Sequence, residues 1–312
     1  MKLALAGDTM LGRGVAERIT TDGPDSLFAP ELVAAVREAD LCVVNLECCI
    51  SEHGAPAPAR AFHFRAPPAA AEALAHLGVD CVTLANNHAL DFGPNALLDT
   101  FAHLESAGIA WVGAGPDLDL ARAPAVLEAG GHRLGLVAVT DHPAAYAAAP
   151  SRPGVAFADL WRRLPAWLPE AIRRLDADAI LVAPHWGPNM VAEPVGHVRS
   201  AARALAEAGA TLIAGHSAHV FQGVARRVLY DLGDFLTDYA ADPELRNDLG
   251  LLFLVDLERN WLEAIPLRLE FAYTRLAEGD DLAWVQHRFY EACAAFGTEV
   301  VEEDGRLGAS WR

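Results

Sequence analysis

Short apolar runs of strand length alternate along the chain with longer stretches in which apolar residues recur every three or four positions. The short runs predict strands at Leu3–Ala6, Leu41–Leu46, Asp80–Ala85, Leu134–Thr140, Ala179–Ala183, Thr211–Ala214, Val228–Asp231, Leu251–Leu257 and Leu262–Leu269. The longer stretches predict helices at Pro30–Ala39, Pro67–Leu77, Pro94–Ala107, Leu160–Leu175, Val198–Ala208 and Asp281–Phe296. Such alternation favours helices packed outside β-sheets, the α/β arrangement. Only Glu258–Trp261 separates the last two strands, which predicts an antiparallel hairpin and therefore mixed sheets.

Two long stretches, Ser51–Pro68 and His142–Gly154, follow neither pattern and indicate loops. Long loops in compact domains are usually functional or disordered. The chain of 312 residues is long enough to bury a large core without disulfide bonds. We expect a single domain over residues 1–312, with its core over about residues 2–270 and a C-terminal helix and tail over residues 271–312.

Composition narrows the classes of partner and compartment. The net charge of −18 argues against a nucleic-acid partner, whose phosphates would be repelled. No apolar run approaches the roughly 20 residues of a membrane span. The five residues Leu3–Gly7 also fall short of the roughly 7–15 apolar residues of a signal peptide. Four of the five cysteines lie in or beside apolar strand-like segments, where buried thiols are expected. We therefore expect a cytoplasmic protein that binds neither membranes nor nucleic acid, and the oligomeric state stays open.

Residues of the types that bind metals follow the predicted strands repeatedly. They are Asp8 after the first strand, Glu47 after the second, Asn87 and His88 after the third, His185 after the fifth, and His216 and His219 after the sixth. Side chains at the carboxyl ends of neighbouring strands converge on one crevice in open α/β sheets. Carboxylate, amide and imidazole donors suit divalent ions such as Mn, Fe, Zn, Mg or Ca. The pattern predicts a site for one or two divalent metal ions.

Each of these residues, taken alone, also has a purely structural explanation. Asp8 would cap a helix that begins near Met10, as aspartates often do. Glu47 would lie at a solvated strand end, and a single histidine such as His185 is more often a hydrogen-bonded core residue than a ligand. Their repeated arrival after apolar strands is hard to explain structurally, and this repetition favours the metal site.

Longer motifs contain most of these residues. The strings GDTMLGR (7–13), NLE (45–47), FRAPP (64–68), LANNHALDFG (84–93), VGAG (112–115), HWG (185–187), GHSAHVFQGV (215–224) and YDLGDFLTDY (230–239) occur in this order. In these motifs the chain resembles the CapA family, named for poly-γ-glutamate capsule biosynthesis, within the calcineurin-like metallophosphoesterase superfamily. The resemblance covers about residues 2–257. It implies a metallo-dependent phosphatase-like fold, a four-layer α-β-β-α sandwich of two mixed sheets.

The same resemblance implies roles for the candidate residues. It implies a ligand set shared between two ions: Asp8 and His219 for the first, Asn87, His185 and His216 for the second, and Glu47 bridging the two or holding one. His88 would stand beside the metals as proton donor or charge stabiliser. Asp91 would orient His88, because a carboxylate partner fixes the tautomer and basicity of a histidine. An ionised Asp91 is also expected to favour the protonated form of His88.

One position departs from the pattern of the superfamily. The superfamily opens with D-x-H, which gives two ligands from the first strand, whereas this chain has Asp8-Thr9-Met10. A thioether is a poor ligand for hard cations. The first metal position is therefore expected to lack one donor and to be weakly occupied or empty.

A divalent metal beside a histidine suits hydrolysis of a phosphoester or an amide. The expected substrate is an anionic small molecule or a peptide, with Arg13 and Arg65 near its anionic groups. Trp186 would either stack on that substrate or lie in the core.

Two other functions stay open. The same site would support a peptide epimerase, because a metal-held carbonyl acidifies the neighbouring C–H and two flanking bases can exchange its proton. The chain would alternatively be a non-catalytic metal-binding assembly protein. The intact NNH and GHSAH strings argue against that alternative, since a retired site need not keep all its donors.

Overall fold

Most of the predicted elements are present in the computed structural model, which describes residues 1–58 and 60–311. The strands are β1 Lys2–Thr9, β2 Leu41–Leu46, β3 Cys49–Ile50, β4 Arg65–Ala66, β5 Cys81–Thr83, β6 Ala110–Val112, β7 Ala114–Gly115, β8 Ala125–Ala129, β9 His132–Thr140, β10 Gly154–Val155, β11 Ala179–His185, β12 Leu212–Ala214, β13 Val224–Ala225, β14 Val228–Leu229, β15 Asp234–Leu236, β16 Leu249–Asp256, β17 Trp261–Glu270, β18 Tyr273–Leu276, β19 Val300–Glu303 and β20 Arg306–Ser310. The helices are α1 Arg13–Asp22, α2 Pro30–Val36, α3 Ala70–Leu77, α4 Gly93–Ser106, α5 Leu118–Arg122, α6 Trp167–Arg174, α7 Gly196–Ala208 and α8 Gly279–Ala294. None of the helices in these ranges combines the length and the apolar composition needed to cross a bilayer.

The long strands form two mixed sheets. The first sheet has ten strands in the order β19-β20-β17-β16-β1-β2-β5-β6, with β15 beside β1 and β18 beside β17. Its β1, β2, β5 and β6 run parallel, whereas β16 and β17 form the predicted antiparallel hairpin. The second sheet has six strands in the order β13-β14-β12-β11-β9-β8, with a parallel centre and antiparallel edges. The expectation of mixed sheets is confirmed.

An apolar layer joins the two sheets face to face, and helices cover their outer faces. In β1, Leu3 and Leu5 belong to the same apolar cluster as Leu134 and Leu136 of β9. The alternate residues of β1 pack with α1 to α4, and those of β9 pack with α6 and α7. Because both faces of these strands are covered, they are continuous apolar runs in the sequence. This arrangement confirms the expected four-layer α-β-β-α sandwich.

Three helices differ most from the prediction, and one of them, the five-residue α5, is absent from it. Helix α6 begins at Trp167, later than the predicted start at Leu160. Pro165 explains the difference, because proline disfavours a helical conformation in the residue before it and donates no backbone hydrogen bond. Helix α1 is not predicted from the sequence, because it buries only Val15 and Ile19 and follows a glycine-rich turn.

The C-terminal segment contains more sheet than predicted. Helix α8 packs into the layer between the sheets through Val285, Phe289 and Cys293. The residues expected to form a tail instead form the hairpin β19–β20, and β20 pairs with β17 in the first sheet. The charged, largely exposed residues of β19 carry no apolar alternation, so the pattern that predicts strands elsewhere is missing there.

Glycines allow β15 to lie against β1. The N–H of Asp8 donates to the carbonyl oxygen of Gly233 at 2.9 Å. A Cβ added to Gly7 would lie 1.8 Å from that oxygen. Gly233 itself has a φ of 75°, a conformation that favours glycine. The close approach places Asp8 and Asp234 opposite each other on parallel strands.

We expect Gly7→Ala to destabilise the fold, because its methyl group would overlap the backbone of β15. Overpacking of this kind costs roughly 1–3 kcal/mol. Urea unfolding of the variant measures the loss. The matched control is Gly196→Ala at the start of α7, where an added Cβ meets no atom within 4 Å. Equal stability of the two variants would show that β1 and β15 are not locked together.

Candidate metal centre

The carboxyl ends of strands from both sheets meet at one place. The residues brought there are Asp8 near the end of β1, Glu47 after β2, Asn87 and His88 after β5, His185 at the end of β11, and His216 and His219 after β12. All are buried except Asn87, which is half-buried. A β-bridge between His185 and His216 ties the ends of β11 and β12 together. The structure therefore brings together Asp8, Glu47, His185, His216 and His219, and it places His88 in the same cavity lining as His219.

Asp8 lies in the middle of this group. Its Oδ1 is 3.4 Å from Nδ1 of His216, and its Oδ2 is 3.4 Å from Nδ1 of His219. Nε2 of His185 lies 3.8 Å from Oε1 of Glu47. One ligand atom each from Asp8, Glu47 and His185 lies within 4.8 Å of the others. Such spacing is compact enough for a shared cation.

Several buried polar atoms of this group are left without a protein partner. Among the residues that the structure describes, no hydrogen-bond partner is found for either carboxylate oxygen of Glu47, Oδ1 of Asn87, Nδ1 of His216 or Oδ2 of Asp234. Nearly all buried polar groups in proteins are paired, and an unpaired one costs about 1–3 kcal/mol, more if it is charged. A divalent cation would give these oxygens and nitrogens their missing partner. The residues present therefore fit a divalent metal.

The pKa values of the carboxylates reflect the same crowding. Burial, and then the charge of Asp8, raise the pKa of Glu47 well above its usual value. Burial acts in the same direction on Asp8, but the nearby imidazoles of His216 and His185 outweigh it and hold its pKa well below the usual value. Without a cation, Glu47 is driven to keep a proton. A bound cation would allow both carboxylates to ionise.

Asp91 holds His88 in place and is itself held by both long loops. Nδ1 of His88 lies 2.6 Å from Oδ2 of Asp91. From the loop at residues 51–68, the N–H of Phe64 donates to Oδ2 at 2.9 Å and Nε of Arg60 lies 3.3 Å from Oδ1. From the loop at residues 142–154, the hydroxyl of Tyr146 donates to Oδ1 at 3.2 Å. Asp91 is thus a fully partnered carboxylate.

The protonation of His88 differs from what its partner alone suggests. The sequence-based expectation is that an ionised Asp91 favours the protonated imidazole. Asp91 acts in the expected direction, but burial outweighs it and lowers the pKa of His88 below its usual value. At neutral pH, His88 donates from Nδ1 to Asp91 and carries no proton on Nε2.

A cavity of about 480 Å³ opens beside the site. Its lining is largely aromatic and amide in character and consists of Arg13, Phe62, Phe64, His88, Asn189, Met190, His219, Tyr239, Ala240 and Asn247. The volume lies in the range of ordinary small-molecule sites. The cavity gives a substrate access to both His88 and His219.

The two expected substrate arginines lie in different places. Arg13 lines the cavity, but its Nη2 lies 2.7 Å from Oδ1 of Asp238, so its charge is largely neutralised. Arg65 lies outside the cavity, where its guanidinium covers the ring of Phe92 and donates to the carbonyl oxygen of His53 at 3.2 Å. The structure therefore gives no support to the expected contact between Arg65 and a substrate.

Trp186 lies in the apolar core between the second sheet and its helices. Its side chain is buried, and its Nε1–H donates to the carbonyl oxygen of Tyr230 at 3.0 Å. Of the two alternatives drawn from the sequence, the structure supports the core position. Because Trp186 is buried, its ring has no exposed face on which a substrate could stack.

Two residues at the centre are not singled out by the sequence analysis. Nδ2 of Asn45 donates to Oδ1 of Asp8 at 2.7 Å and fixes the orientation of that carboxylate. Oδ1 of Asp234 lies 2.8 Å from Nδ1 of His219. Both lie inside strings that carry the family resemblance, NLE and YDLGDFLTDY, so the signal is present in the motifs.

A second histidine–aspartate pair, also not singled out, lies beside His185. Nδ1 of His142 is hydrogen bonded to Oδ1 of Asp141, and the ring of His142 lies 5.3 Å from that of His185. Oδ2 of Asp141 accepts from the N–H of Gly187 at 3.2 Å. The start of the loop at residues 142–154 therefore adds a titratable side chain to the rim of the centre.

Comparison with known proteins gives a family model and several relatives. The model described as bacterial capsule synthesis protein PGA_cap matches residues 2–239. A Mycobacterium tuberculosis protein named "Probable polyglutamine synthesis accessory protein" is 31% identical, over 97% of this chain and 94% of its own. The Bacillus subtilis "PGA biosynthesis protein CapA" is 28% identical, over 76% of this chain and 63% of its own. A solved structure of a hypothetical protein from Thermus thermophilus covers 88% of this chain and 96% of its own, at 16% identity and a TM-score of 0.46, too weak a likeness to support an argument.

We expect Glu47→Gln to weaken metal binding without lowering the stability of the metal-free protein. Without divalent metal, the variant should be at least as stable as the natural protein, because it loses a buried carboxyl that has no partner. With Mn²⁺ at about 100 times its dissociation constant, the natural protein should gain about 2.7 kcal/mol for each bound ion, and the variant should gain less. Thermal unfolding in EDTA and in Mn²⁺ measures both effects. The control Glu17→Gln, at an exposed position, should follow the natural protein in both conditions. Equal stabilisation of Glu47→Gln by Mn²⁺ would exclude Glu47 as a ligand.

Proposed function

This chain belongs to the bacterial capsule synthesis protein family PGA_cap, and we propose that it is a metal-dependent hydrolase that cleaves a phosphoester or an amide bond. One observation carries the proposal: a set of buried donors without protein partners adjoins a histidine–aspartate pair that lines a cavity. Donors of this kind are costly to bury in a protein that binds no cation. A buried histidine aimed at a cavity beside them supplies the proton transfer that hydrolysis needs.

The names of the relatives favour an amide substrate. The mycobacterial relative is named for polyglutamine synthesis and the Bacillus subtilis relative for PGA biosynthesis. Both names refer to polymers of amino acids, whose linkages are amides. The cavity wall supports this choice, because Asn189 and Asn247 present amide groups there and the charge of Arg13 is paired with Asp238. We propose a peptide or peptide-like substrate, with an anionic phosphoester as the alternative class.

The residues that would hold one or two divalent cations are Asp8, Glu47, Asn87, His185, His216 and His219. A bound divalent cation would polarise a substrate oxygen and make water a stronger nucleophile near neutral pH. Asn45 keeps Asp8 in position by donating to its Oδ1. Asn86 in turn donates to Oδ1 of Asn45 at 3.1 Å, so the turn that contains Asn87 is tied to β2.

His88 moves the proton. Its Nε2 has no hydrogen-bond partner in residues 1–58 and 60–311, while Nδ1 is held by Asp91. Because burial keeps the ring neutral, Nε2 is ready to take a proton from the attacking water and pass it to the leaving group. The ring of Phe64, with its centroid 4.3 Å from that of His88, packs against the imidazole and restricts its orientation.

Peptide epimerisation is the second candidate, because of the pair formed by His142 and Asp141. This pair lies beside His185, so the centre has a second histidine that could exchange a proton with a substrate carbon. Incorporation of solvent deuterium without cleavage would identify the epimerase, whereas release of an amine or a phenol would identify the hydrolase. A purely assembly-related role, which the word accessory in the mycobacterial name would fit, predicts neither reaction.

We expect His88→Asn to keep the metal content and to lower turnover by roughly 10²–10⁴, the usual contribution of a general acid or base. His185→Asn should lose metal and turnover together. The measurements are metal analysis of the purified variants and hydrolysis of an aryl phosphate and an aryl amide. The control His76→Asn, at an exposed position in α3, should change neither. Loss of metal from His88→Asn would make His88 a ligand, and full activity would place the proton transfer elsewhere.

A further inference from the structure

Met10 does not complete the first cation position. The side chain of Met10 is fully buried in the apolar cluster that joins the first sheet to α1 to α4. Its Sδ accepts a hydrogen bond from the N–H of Gly12 at 3.0 Å. The thioether therefore belongs to the core. A further protein donor beside Asp8 and His219 would have to come from elsewhere in the chain.

The backbone places Asp234 next to Asp8. The two residues are partners in the parallel pairing of β15 with β1. The pairing is close because Gly7 has no side chain to push Gly233 away. Neighbouring residues in register on parallel strands direct their side chains to the same side of a sheet. Asp8 and Asp234 therefore present two carboxylates side by side.

The side chains around Asp234 have the spacing of a ligand group. Its Oδ1 lies 2.8 Å from Nδ1 of His219, and that nitrogen lies 3.4 Å from Oδ2 of Asp8. One ligand atom from each of the three residues lies within 4.8 Å of the others. Oδ2 of Asp234 is buried and has no hydrogen-bond partner in the described ranges. The amide of Asn247 donates to the carbonyl oxygen of Ala240 at 3.4 Å and also approaches the carboxylate of Asp234.

We propose that Asp234 is a metal ligand that completes the first cation position with Asp8 and His219, in place of the histidine that the first strand lacks. This inference rests on the cation site of the proposed function. Two carboxylates and one imidazole form an oxygen-rich set that suits Mn²⁺ or Mg²⁺. Asp8 also belongs to the group with Glu47 and His185, so it is the residue shared by the two positions. The first position is then complete, in contrast to the deficiency expected from Met10.

A different role for Asp234 has to be separated from ligation. A carboxylate that accepts the Nδ1–H of a metal-binding histidine orients the ring without touching the metal. Asparagine at position 234 would still accept that hydrogen bond from His219, but it would lack the negative charge. Loss of such an orienting partner weakens metal binding by roughly 10–100-fold. Loss of a ligand should exceed that range.

The first test is a calorimetric titration of the natural protein and of Asp234→Asn with Mn²⁺, combined with electron paramagnetic resonance. We expect the natural protein to bind two ions and to give a spin-coupled spectrum, because ions that share a ligand lie about 4 Å apart. Asp234→Asn should bind one ion, lose the coupling, and bind the second ion more than about 100-fold more weakly. Aspartate and asparagine are nearly isosteric, and circular dichroism checks the fold of the variant.

The second test uses Asp234→Cys with Co²⁺. A cysteine in the position of a ligand gives a thiolate-to-cobalt charge-transfer band in the near ultraviolet, whereas a cysteine outside it does not. The matched control is Ser217→Cys, because the backbone N–H of Ser217 donates to Oδ2 of Asp8 at 3.3 Å, whereas its hydroxyl donates to the carbonyl oxygen of Gly187 at 3.2 Å. The natural protein controls for its own five cysteines. Only Asp234→Cys should show the band.

The outcomes separate this inference from the proposed function. Two Mn²⁺ ions retained by Asp234→Asn, or no cobalt band in Asp234→Cys, would overturn ligation by Asp234 and leave the hydrolase proposal intact. A single uncoupled Mn²⁺ ion in the natural protein would also overturn it, even if neither variant folds. Two coupled ions in a protein that cleaves no ester or amide would support Asp234 as a ligand and would contradict the proposed hydrolase function.

Discussion

Three carboxylates, Asp8, Glu47 and Asp234, are buried together at the ends of neighbouring strands with too few donors to hold them. Removing an ionised carboxylate from water costs several kcal/mol unless hydrogen bonds or an opposite charge offset the loss. Asn45 donates a hydrogen bond to Asp8, and His219 pairs with Asp234. Neither oxygen of Glu47 has a protein partner among the described residues. These three carboxylates lie at the centre of the site, with the strand ends and the histidines around them. Divalent cations bound there would offset the charge of these carboxylates.

Asp91 shows the opposite arrangement a short distance away. It has partners from His88, Phe64, Tyr146 and Arg60, and it needs no cation. The contrast divides the site into two parts with different chemistry. The unpaired carboxylates are suited to hold metal, whereas the paired one is suited to hold a histidine in a single orientation. The two long loops contribute to the second part, so the proton-transferring residue depends on segments outside the sheets.

Local signals in the sequence predict helices outside mixed sheets and most of the centre, whereas the four-layer sandwich is implied by the family resemblance. Apolar runs mark strands buried on both faces, and a ligand-type residue directly after such a run is visible without a structure. Residues are missed where the signal depends on the packing of distant segments. The role of Asp234 depends on β15, three residues long, lying against β1 through Gly7. The partners of Asp91 come from loops without periodicity. The pKa of His88 also follows from burial, which no motif records.

Anomalous diffraction from crystals soaked in Mn²⁺, measured at the manganese absorption edge, tests the central claim most directly. The account predicts strong anomalous peaks within the volume bounded by Asp8, Glu47 and His185, with the carboxylate oxygens of Glu47 as ligands. The cavity beside His88 should hold no manganese, because no carboxylate is among the described residues that line it. Crystals that contain Mn²⁺ only at surface carboxylates, with Glu47 still without a partner, would contradict the account.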